Sequence, residues 1–533
     1  MAPVLFIYSL FGLRPMLKIF FREGNEAHPL VDAKELKRVL SALSTKDEAR
    51  SLDELAGWLE SVINSTGLTP LQLFDIVRQL DEAAQPFIRH LTRAYLSPSQ
   101  RSRTEEKKLW QLCFGYWDFV ANAYHHVVEA FLKAEGVKET AKQAEAIRAQ
   151  IPLILCRQFA ATTASIKWRR FNHEPPLAGS WLEFGTRFLF AEQRKIESEA
   201  VTLYPLSRIT TTPRREFIKA LVFEASSLDS LLPVQIEAVE KLVAFFSPQF
   251  VLSRDNRSDN IYWVDASLDH GPYRLARLPK NTPTVRLLGL GEVPAALESM
   301  TRQVERGDLP AEPNLAGQYT PKLVLSVLHH LKAYWAVKPP IRKHQRHVAK
   351  SRLTVQFGFE ACYERMSGVV SAPVSDDFDF CTPGDAWVVD DVSMGGFGVV
   401  APGVKKDWLR VGVLLALQPE ESDHWMLGII RRCERTPENA SSVGIQTLAR
   451  QAACHELMVA DAPSRSGQRE RAILIEAGEG TNEMKVIFPP ATFDLRESYL
   501  LNADGKTRLL SPIELLESGG DYQIGRFRVR LVG

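Results

Sequence analysis

Two short segments of the chain carry side chains suited to binding a flat, anionic molecule. In the first, the stretch at 339–346 (Pro-Pro-Ile-Arg-Lys-His-Gln-Arg), Arg342 and Arg346 are four residues apart and Lys343 adds a further cation. Guanidinium groups bind phosphate oxygens in pairs and stack on flat rings. Lys350 repeats the spacing four residues after Arg346, so the register of the cations stays open. The segment predicts a local binding site for phosphate.

The second segment is a polar turn that follows an apolar strand. Val388-Val389 leads into Asp391 and Ser393, and Gly395 and Gly396 follow. The two polar side chains offer hydrogen-bonding groups, and glycines let backbone N–H groups approach a ligand closely. Either segment alone is ordinary, because Asp, Ser and Gly are common in turns for local reasons. Together, in this order and each joined to β strands, they favour one site for a flat polyanion.

This pair of motifs resembles the PilZ family of bacterial cyclic-di-GMP receptors, which joins an Arg-x-x-x-Arg segment to a later Asp/Asn-x-Ser-x-x-Gly turn on a small β-barrel. The resemblance covers about residues 339–455 and implies cyclic-di-GMP as the ligand, with no other cofactor. The arginines would hold phosphates and guanine edges, and the turn would bind a guanine edge. The matching positions are Arg342, Arg346, Asp391, Ser393 and Gly396, with Lys343, Gly395 and Lys350 as secondary candidates.

One departure from the family pattern leaves an alternative open. The gap of 45 residues between Arg346 and Asp391 is longer than usual in the family and contains an acidic loop over 375–380. Carboxylates folded over the site would repel a diphosphate. Some members of the family keep the barrel without the ligand and act as docking modules. The alternative function is therefore a ligand-free scaffold for protein–protein interaction.

Composition excludes several classes of protein. The 533 residues carry a net charge of +1, so no global field favours nucleic acid or an anionic membrane surface. Six cysteines without a Cys-x-x-Cys pair indicate reduced thiols in the cytoplasm and no metal site. The chain has no phosphate-binding loop, His-Glu-x-x-His sequence or nucleophile elbow. We expect a cytoplasmic receptor that is not an enzyme and that has a protein partner for its helical domain.

The pattern of apolar residues predicts a multidomain α+β protein. An irregular all-α domain is followed by small antiparallel β-barrel modules, one of them PilZ-like. Helical periodicity includes one helix over about 137–167 and a longer one, over about 104–135, that is apolar on every face. From Phe250 the period becomes two, as in strands. The expected units are a poorly ordered apolar leader over 1–29, a helical domain over 30–248, a β segment with two helices over 249–338 (a degenerate barrel is one alternative), the PilZ-like barrel over 339–458, and a small β module over 469–533.

Overall fold

The structure is a computed structural model that describes most of the chain. The described residues are 28–97, 102–205, 207, 210–313, 315, 317–338, 344–368, 386–402, 408–436, 440–460, 467–476, 482–503 and 505–532. The acidic loop over 375–380 lies outside them, as does the predicted leader over 1–29 apart from its last two residues.

Helices form the first part of the described chain, and side-chain caps mark where several of them begin. Thr69 and Ser102 each form a capping box, in which the cap and the third helical residue exchange hydrogen bonds. Thr212 caps another helix through the N–H of Arg215. The helices up to residue 246 are α1 (Ala33–Ala42), α2 (Glu48–Ile63), α3 (Pro70–Leu96), α4 (Arg103–Glu135), α5 (Ala141–Arg148), α6 (Ile151–Phe171), α7 (Ser180–Arg194), α8 (Pro213–Glu224) and α9 (Pro233–Phe246).

The region predicted as one helix over 137–167 contains two helices, α5 and α6. The second begins with Ile151-Pro152, and proline suits a first turn because no N–H donor is needed there. Continuing α5 through Pro152 would remove a hydrogen bond and place the ring against the preceding turn. The single-helix prediction was therefore wrong.

One hydrophobic core joins the helical region to the segment that follows it. A continuous cluster of buried residues runs from Leu30 to Trp335, and α4 passes through it. Within this segment the strands form a four-stranded antiparallel sheet in the order β3-β6-β4-β5. The segment contains β3 (Val251–Ser253), β4 (Asn260–Asp265), β5 (Tyr273–Arg274), β6 (Val285–Gly289), α10 (Val293–Glu305) and α11 (Pro321–Tyr334). A separate small pair, β1 (Val201–Thr202) and β2 (Thr210–Thr211), lies earlier, between α7 and α8.

Two six-stranded antiparallel barrels complete the described chain. The first barrel has the strand order β8-β9-β10-β13-β12-β11 and closes because β8 pairs with β11, while β7 extends the pairing along β9. The second barrel has the order β14-β15-β16-β19-β18-β17. The elements are β7 (His347–Val348), β8 (Arg352–Phe357), α12 (Phe359–Ser367), β9 (Trp387–Ser393), β10 (Gly396–Ala401), β11 (Leu414–Pro419), β12 (Met426–Arg435), β13 (Ser441–Ala449), β14 (Ala453–Val459), β15 (Arg469–Glu476), β16 (Glu483–Phe488), β17 (Tyr499–Ala503), β18 (Lys506–Ser518) and β19 (Gln523–Val532). The architecture is therefore the predicted one, a helical region followed by antiparallel barrels.

The wall of the first barrel formed by β11 and β12 is buried on both of its faces. Leu415 and Leu417 point into the core of the first barrel. Leu414 and Ile429 point outward, into a separate apolar cluster that also contains residues of α12 and of the second barrel. Side chains alternate between the faces of a strand, so these apolar runs fill two cores at once. The two barrels consequently share one apolar contact that water does not reach.

We predict that this shared contact determines the stability of both barrels. Ile429 is fully buried, so Ile429→Ala should lower the free energy of unfolding by about 2–5 kcal/mol through lost contacts and a cavity. Val388→Ala, on an exposed position of β9, is the matched control and should change it by less than about 0.5 kcal/mol. Urea denaturation monitored by tryptophan fluorescence measures both variants. Equal effects of the two substitutions would contradict this role.

Candidate functional site

The strand pairing brings the arginine segment against the polar turn. β7 runs antiparallel to β9, with His347 opposite Val392 and Val348 opposite Asp391. Arg346, the residue just before β7, donates from Nη1 to Oδ1 of Asp391 at 2.6 Å. Two residues that the sequence places 45 positions apart are thus in direct contact.

The polar turn is a tight hairpin between β9 and β10. Ser393 lies opposite Gly396 across it, and the Ser393 hydroxyl donates weakly to the Gly396 carbonyl at 3.4 Å. The carbonyl of Gly395 accepts a hydrogen bond from the N–H of Thr447 at 3.0 Å, which holds the hairpin against β13. A Cβ at Gly396 would lie 1.9 Å from the carbonyl oxygen of Ile445, so only glycine permits this approach.

Beside the turn, the outer surface of the first barrel carries glycines on neighbouring strands. Val399 and Ala401 of β10 are in the core, so the alternation of the strand turns Gly398 outward. On β13, core residues flank Gly444 in the same way. We call Gly398 and Gly444 the glycine floor. The Arg346–Asp391 pair lies over Gly398, where an added Cβ would be 2.5 Å from Oδ1 of Asp391 and 2.9 Å from Nη1 of Arg346, so a flat ring reaches this part of the floor only when the pair opens.

One row of directly opposed residues crosses this floor from end to end. Asp391 pairs with Gly398, Gly398 with Gly444, and Gly444 with Arg432. Directly opposed residues share one face of a sheet, and three strand spacings separate the ends of the row by about 14 Å. The floor therefore has Arg346 and Asp391 at one end and Arg432 at the other.

A β-bulge in β12 sets the direction of the arginine at the far end. The pairing register shifts between Ile430 and Arg432, so Arg431 is an extra residue. Ile430 and Cys433 point into the core, and both arginines between them point outward. Arg431 donates to both carboxylate oxygens of Glu517 in the second barrel, at 2.5 and 2.8 Å. Arg431 thus joins β12 to the second barrel.

Arg432 reaches the helical region instead. Its Nε donates to Oδ2 of Asp229, and its Nη2 lies 3.5 Å from an oxygen of Glu434. Asp229 belongs to a short turn after α8 and also accepts from the hydroxyl of Ser227 at 2.8 Å. The end of the glycine floor is therefore also a contact between the first barrel and the helical region.

The pair at the near end of the floor is weak and exchangeable. The Arg346 side chain is 36% exposed and that of Asp391 is 28% exposed. Ion pairs in such water-accessible positions contribute about 0–1 kcal/mol, because water competes for both partners. A phosphate group could replace Asp391 as the partner of Arg346 at little cost.

The remaining predicted cations lie either outside the described residues or in the stretch that follows β7. Arg342 and Lys343 lie outside the described residues, so their position relative to the turn stays a prediction. Lys350 is exposed in the stretch between β7 and β8. His344 was not predicted, and its ring lies next to Gly395, where an added Cβ would come within 3.1 Å of it.

Sequence reasoning also missed the glycine floor and Arg432. A usable signal was present, because glycine alternates with core residues in Gly396-Phe397-Gly398 and again at Val443-Gly444-Ile445. Outward glycine on neighbouring strands indicates that something lies close to the backbone. The register that joins the two stretches into one surface is a long-range property that the sequence does not display.

Comparison with known protein families places two parts of the chain. Residues 34–257 match the model described as "Cyclic-di-GMP receptor FimW, N-terminal domain". Residues 386–454 match the model described as "Cyclic-di-GMP receptor FimW, middle PilZ domain". The second match contains Asp391, Ser393 and Gly396 and begins after the arginine segment. No curated protein and no solved structure matches the chain. Within the described residues, no helix is long and apolar enough to cross a membrane.

We predict that Gly396 is required for the hairpin itself. Gly396→Ala should separate β10 from β13, because the new Cβ would meet the Ile445 carbonyl oxygen, and should cost about 1–3 kcal/mol of stability. Gly395→Ala is the control, since its Cβ would meet only the edge of the His344 ring, which can move. Urea unfolding midpoints compare the two variants. A Gly396→Ala protein as stable as the unsubstituted one would refute the close approach.

Proposed function

The chain belongs to the cyclic-di-GMP receptor family whose N-terminal and PilZ models together match more than half of it, and on this premise we propose that cyclic-di-GMP binds on the glycine floor of the first barrel. Binding changes the contacts between this barrel and the helical region. The observation that carries the proposal is the exchangeable pair of Arg346 and Asp391, which lies over Gly398 at one end of the glycine floor.

The chemistry of the ligand suits each part of this surface. Arg346 leaves Asp391 and holds a phosphate with charge-assisted hydrogen bonds, and Arg342 supplies a second guanidinium. Asp391, once released, accepts hydrogen bonds from the N–H groups of a guanine edge, and Ser393 contributes its hydroxyl. Gly395 and Gly396 keep the turn open. Lys343 and Lys350 add positive charge at the rim. A guanine base lies flat over the glycine floor.

The route from the site to the helical region begins at the end of α11. Arg274 of β5 donates to the carbonyl oxygens of Tyr334 at 2.7 Å and Val337 at 3.0 Å. The hydroxyl of Tyr262 also donates to Tyr334, at 2.9 Å. Six residues, 338–343, then join Val337 to His344 beside the hairpin. They include the pair Pro339-Pro340, and prolines leave few backbone states to absorb a displacement. Movement of the arginine segment toward a ligand is thereby passed to α11.

We propose further that the receptor acts without catalysis, in the cytoplasm, and passes its signal to a protein partner through the helical region. In the alternative, a ligand-free scaffold, Arg346 and Asp391 are a permanent structural pair. A single measurement distinguishes the receptor from the scaffold. A receptor binds cyclic-di-GMP in a calorimetric titration, and a scaffold does not.

We predict that Arg346→Ala weakens cyclic-di-GMP binding by about ten- to a hundredfold, because each charge-assisted hydrogen bond contributes about 1.5–3 kcal/mol. Lys350→Ala is the matched control for register and should change the affinity by less than threefold, that is, by less than about 0.7 kcal/mol. Isothermal titration calorimetry measures both, and affinity should fall as salt is added. A large loss of affinity in Lys350→Ala with none in Arg346→Ala would show that the phosphate-binding residues lie four positions further along the chain.

We predict that the clamp at the end of α11 carries the response to the ligand. In the unsubstituted protein, cyclic-di-GMP should alter amide hydrogen exchange over residues 320–346 as well as at the hairpin. Arg274→Ala should keep the binding affinity but reduce the change over 320–338, because the carbonyls of the helix end lose their donor.

The control for the clamp is Arg254→Ala. Arg254 also holds a loop carbonyl, that of Pro283 at 2.8 Å, but its contact does not involve α11. Its substitution should leave the exchange response intact. Ligand-induced changes confined to the hairpin in the unsubstituted protein would exclude this route.

A further inference from the structure

Arg432, at the far end of the glycine floor, can pair either with Asp229 or with an anion bound on the floor. Arg432 is opposite Gly444, and a Cβ added to this glycine would lie 3.1 Å from the Cβ of Arg432. The base of the Arg432 side chain therefore rises directly beside the floor. Its guanidinium is held by Asp229 of the helical region, although more than half of the side chain is exposed. An anion on the floor would approach this guanidinium from the open side.

We propose that Arg432 is a second phosphate-binding residue of the site and that the ligand takes it from Asp229. The inference rests on the proposed function and extends it by naming the interdomain contact that the ligand exchanges. A cyclic dinucleotide carries two phosphates and two bases. One phosphate is held by Arg346 at the near end of the row, and the other is held by Arg432, whose backbone position is about three strand spacings away.

The exchange has a consequence for Asp229, because this carboxylate is largely buried. Its side chain is only 11% exposed, and Arg432 is its one cation among the ion pairs of the described residues. A buried charge that loses its partner is unfavourable unless it regains water. The hydroxyl of Ser227 remains as a donor but carries no charge. The turn at Leu228–Ser230 therefore moves away from β12 when the ligand binds.

The same turn is connected to the end of α11. The indole N–H of Trp335 donates to the hydroxyl of Ser226 at 3.1 Å, and the imidazole of His330 bonds to the Ser226 carbonyl at 2.6 Å. Displacement of the turn and displacement of the arginine segment thus act on one structural element. The ligand reaches the helical region from both ends of the glycine floor.

The test uses the two partners of the ion pair, which have opposite effects if the exchange occurs. Arg432→Ala should weaken cyclic-di-GMP binding at least tenfold in the full chain. Asp229→Asn, which is nearly isosteric and removes the competing charge, should strengthen binding by about three- to tenfold, equivalent to roughly 1 kcal/mol. A pair that is only structural predicts the same sign for both variants, or no change.

The matched control is a second ion pair between the same two regions. Arg410 lies 3.1 Å from Glu106 of α4, away from the row that crosses the floor. Arg410→Ala should change the affinity by less than twofold, about 0.4 kcal/mol. In hydrogen exchange, ligand should deprotect residues 228–231 of the unsubstituted protein, and this change should be absent from Arg432→Ala at saturating ligand.

Each outcome decides between the two proposals. Unchanged or weaker binding in Asp229→Asn overturns the exchange, while binding by the unsubstituted protein that depends on Arg346 upholds the receptor. Absence of binding by the unsubstituted protein overturns both. Equal losses of affinity in Arg432→Ala and Arg410→Ala would mean that Arg432 only joins the two regions and does not bind the ligand.

Discussion

The two-sided burial of the wall formed by β11 and β12 is the constraint on which the barrels depend. Leu415 and Leu417 fill the inside of the first barrel, and Leu414 and Ile429 fill the contact with its neighbour. Water would reach the outer set if the second barrel were absent, and exposing such side chains costs about 1.5–3 kcal/mol each. The first barrel is therefore open to solvent on the side of the proposed ligand surface, and on the other side it is half of a larger apolar body.

This division of the barrel explains how the site can be both open and firmly supported. The strands that carry the polar turn and the glycine floor are β9, β10 and β13, whose outer faces reach solvent. The strands that hold the rest of the protein are β11 and β12. Among the described contacts, β12 belongs to both groups, since Gly444 pairs with Arg432 while Arg431 binds the second barrel. The proposed ligand position is therefore next to the strand whose arginines contact both the second barrel and the helical region.

The sequence was sufficient to predict the local parts of this arrangement. The arginine segment, the Asp391 turn, the capped helix at Thr69 and the change of period after Phe250 can each be recognised within a short stretch of sequence. The direct contact between Arg346 and Asp391 agrees with the order of the two motifs. Their role as ligand contacts stays a prediction.

The parts that the sequence did not reveal depend on long-range pairing. The helix α12 follows β8 within a predicted barrel, and its Phe359 and Cys362 face the second barrel, which begins 91 residues after Cys362 at Ala453. Similarly, no local pattern shows that Gly398 and Gly444 stand side by side. Helix and strand periods report burial of a face, but they do not identify what covers it.

The bulge at Arg431 also determines which face of the sheet each later side chain of β12 points to. With the extra residue, Cys433 returns to the core of the first barrel after two outward arginines. If the same residues followed regular alternation without the bulge, every side chain after Arg431 would change face. The thiol would then face outward, and a charged group would enter a space lined by Leu409 and Val443. The extra residue therefore shifts the alternation of side chains by one position. As a result, β12 contacts the second barrel through Arg431 and the helical region through Arg432, and it still places Cys433 in the core of the first barrel.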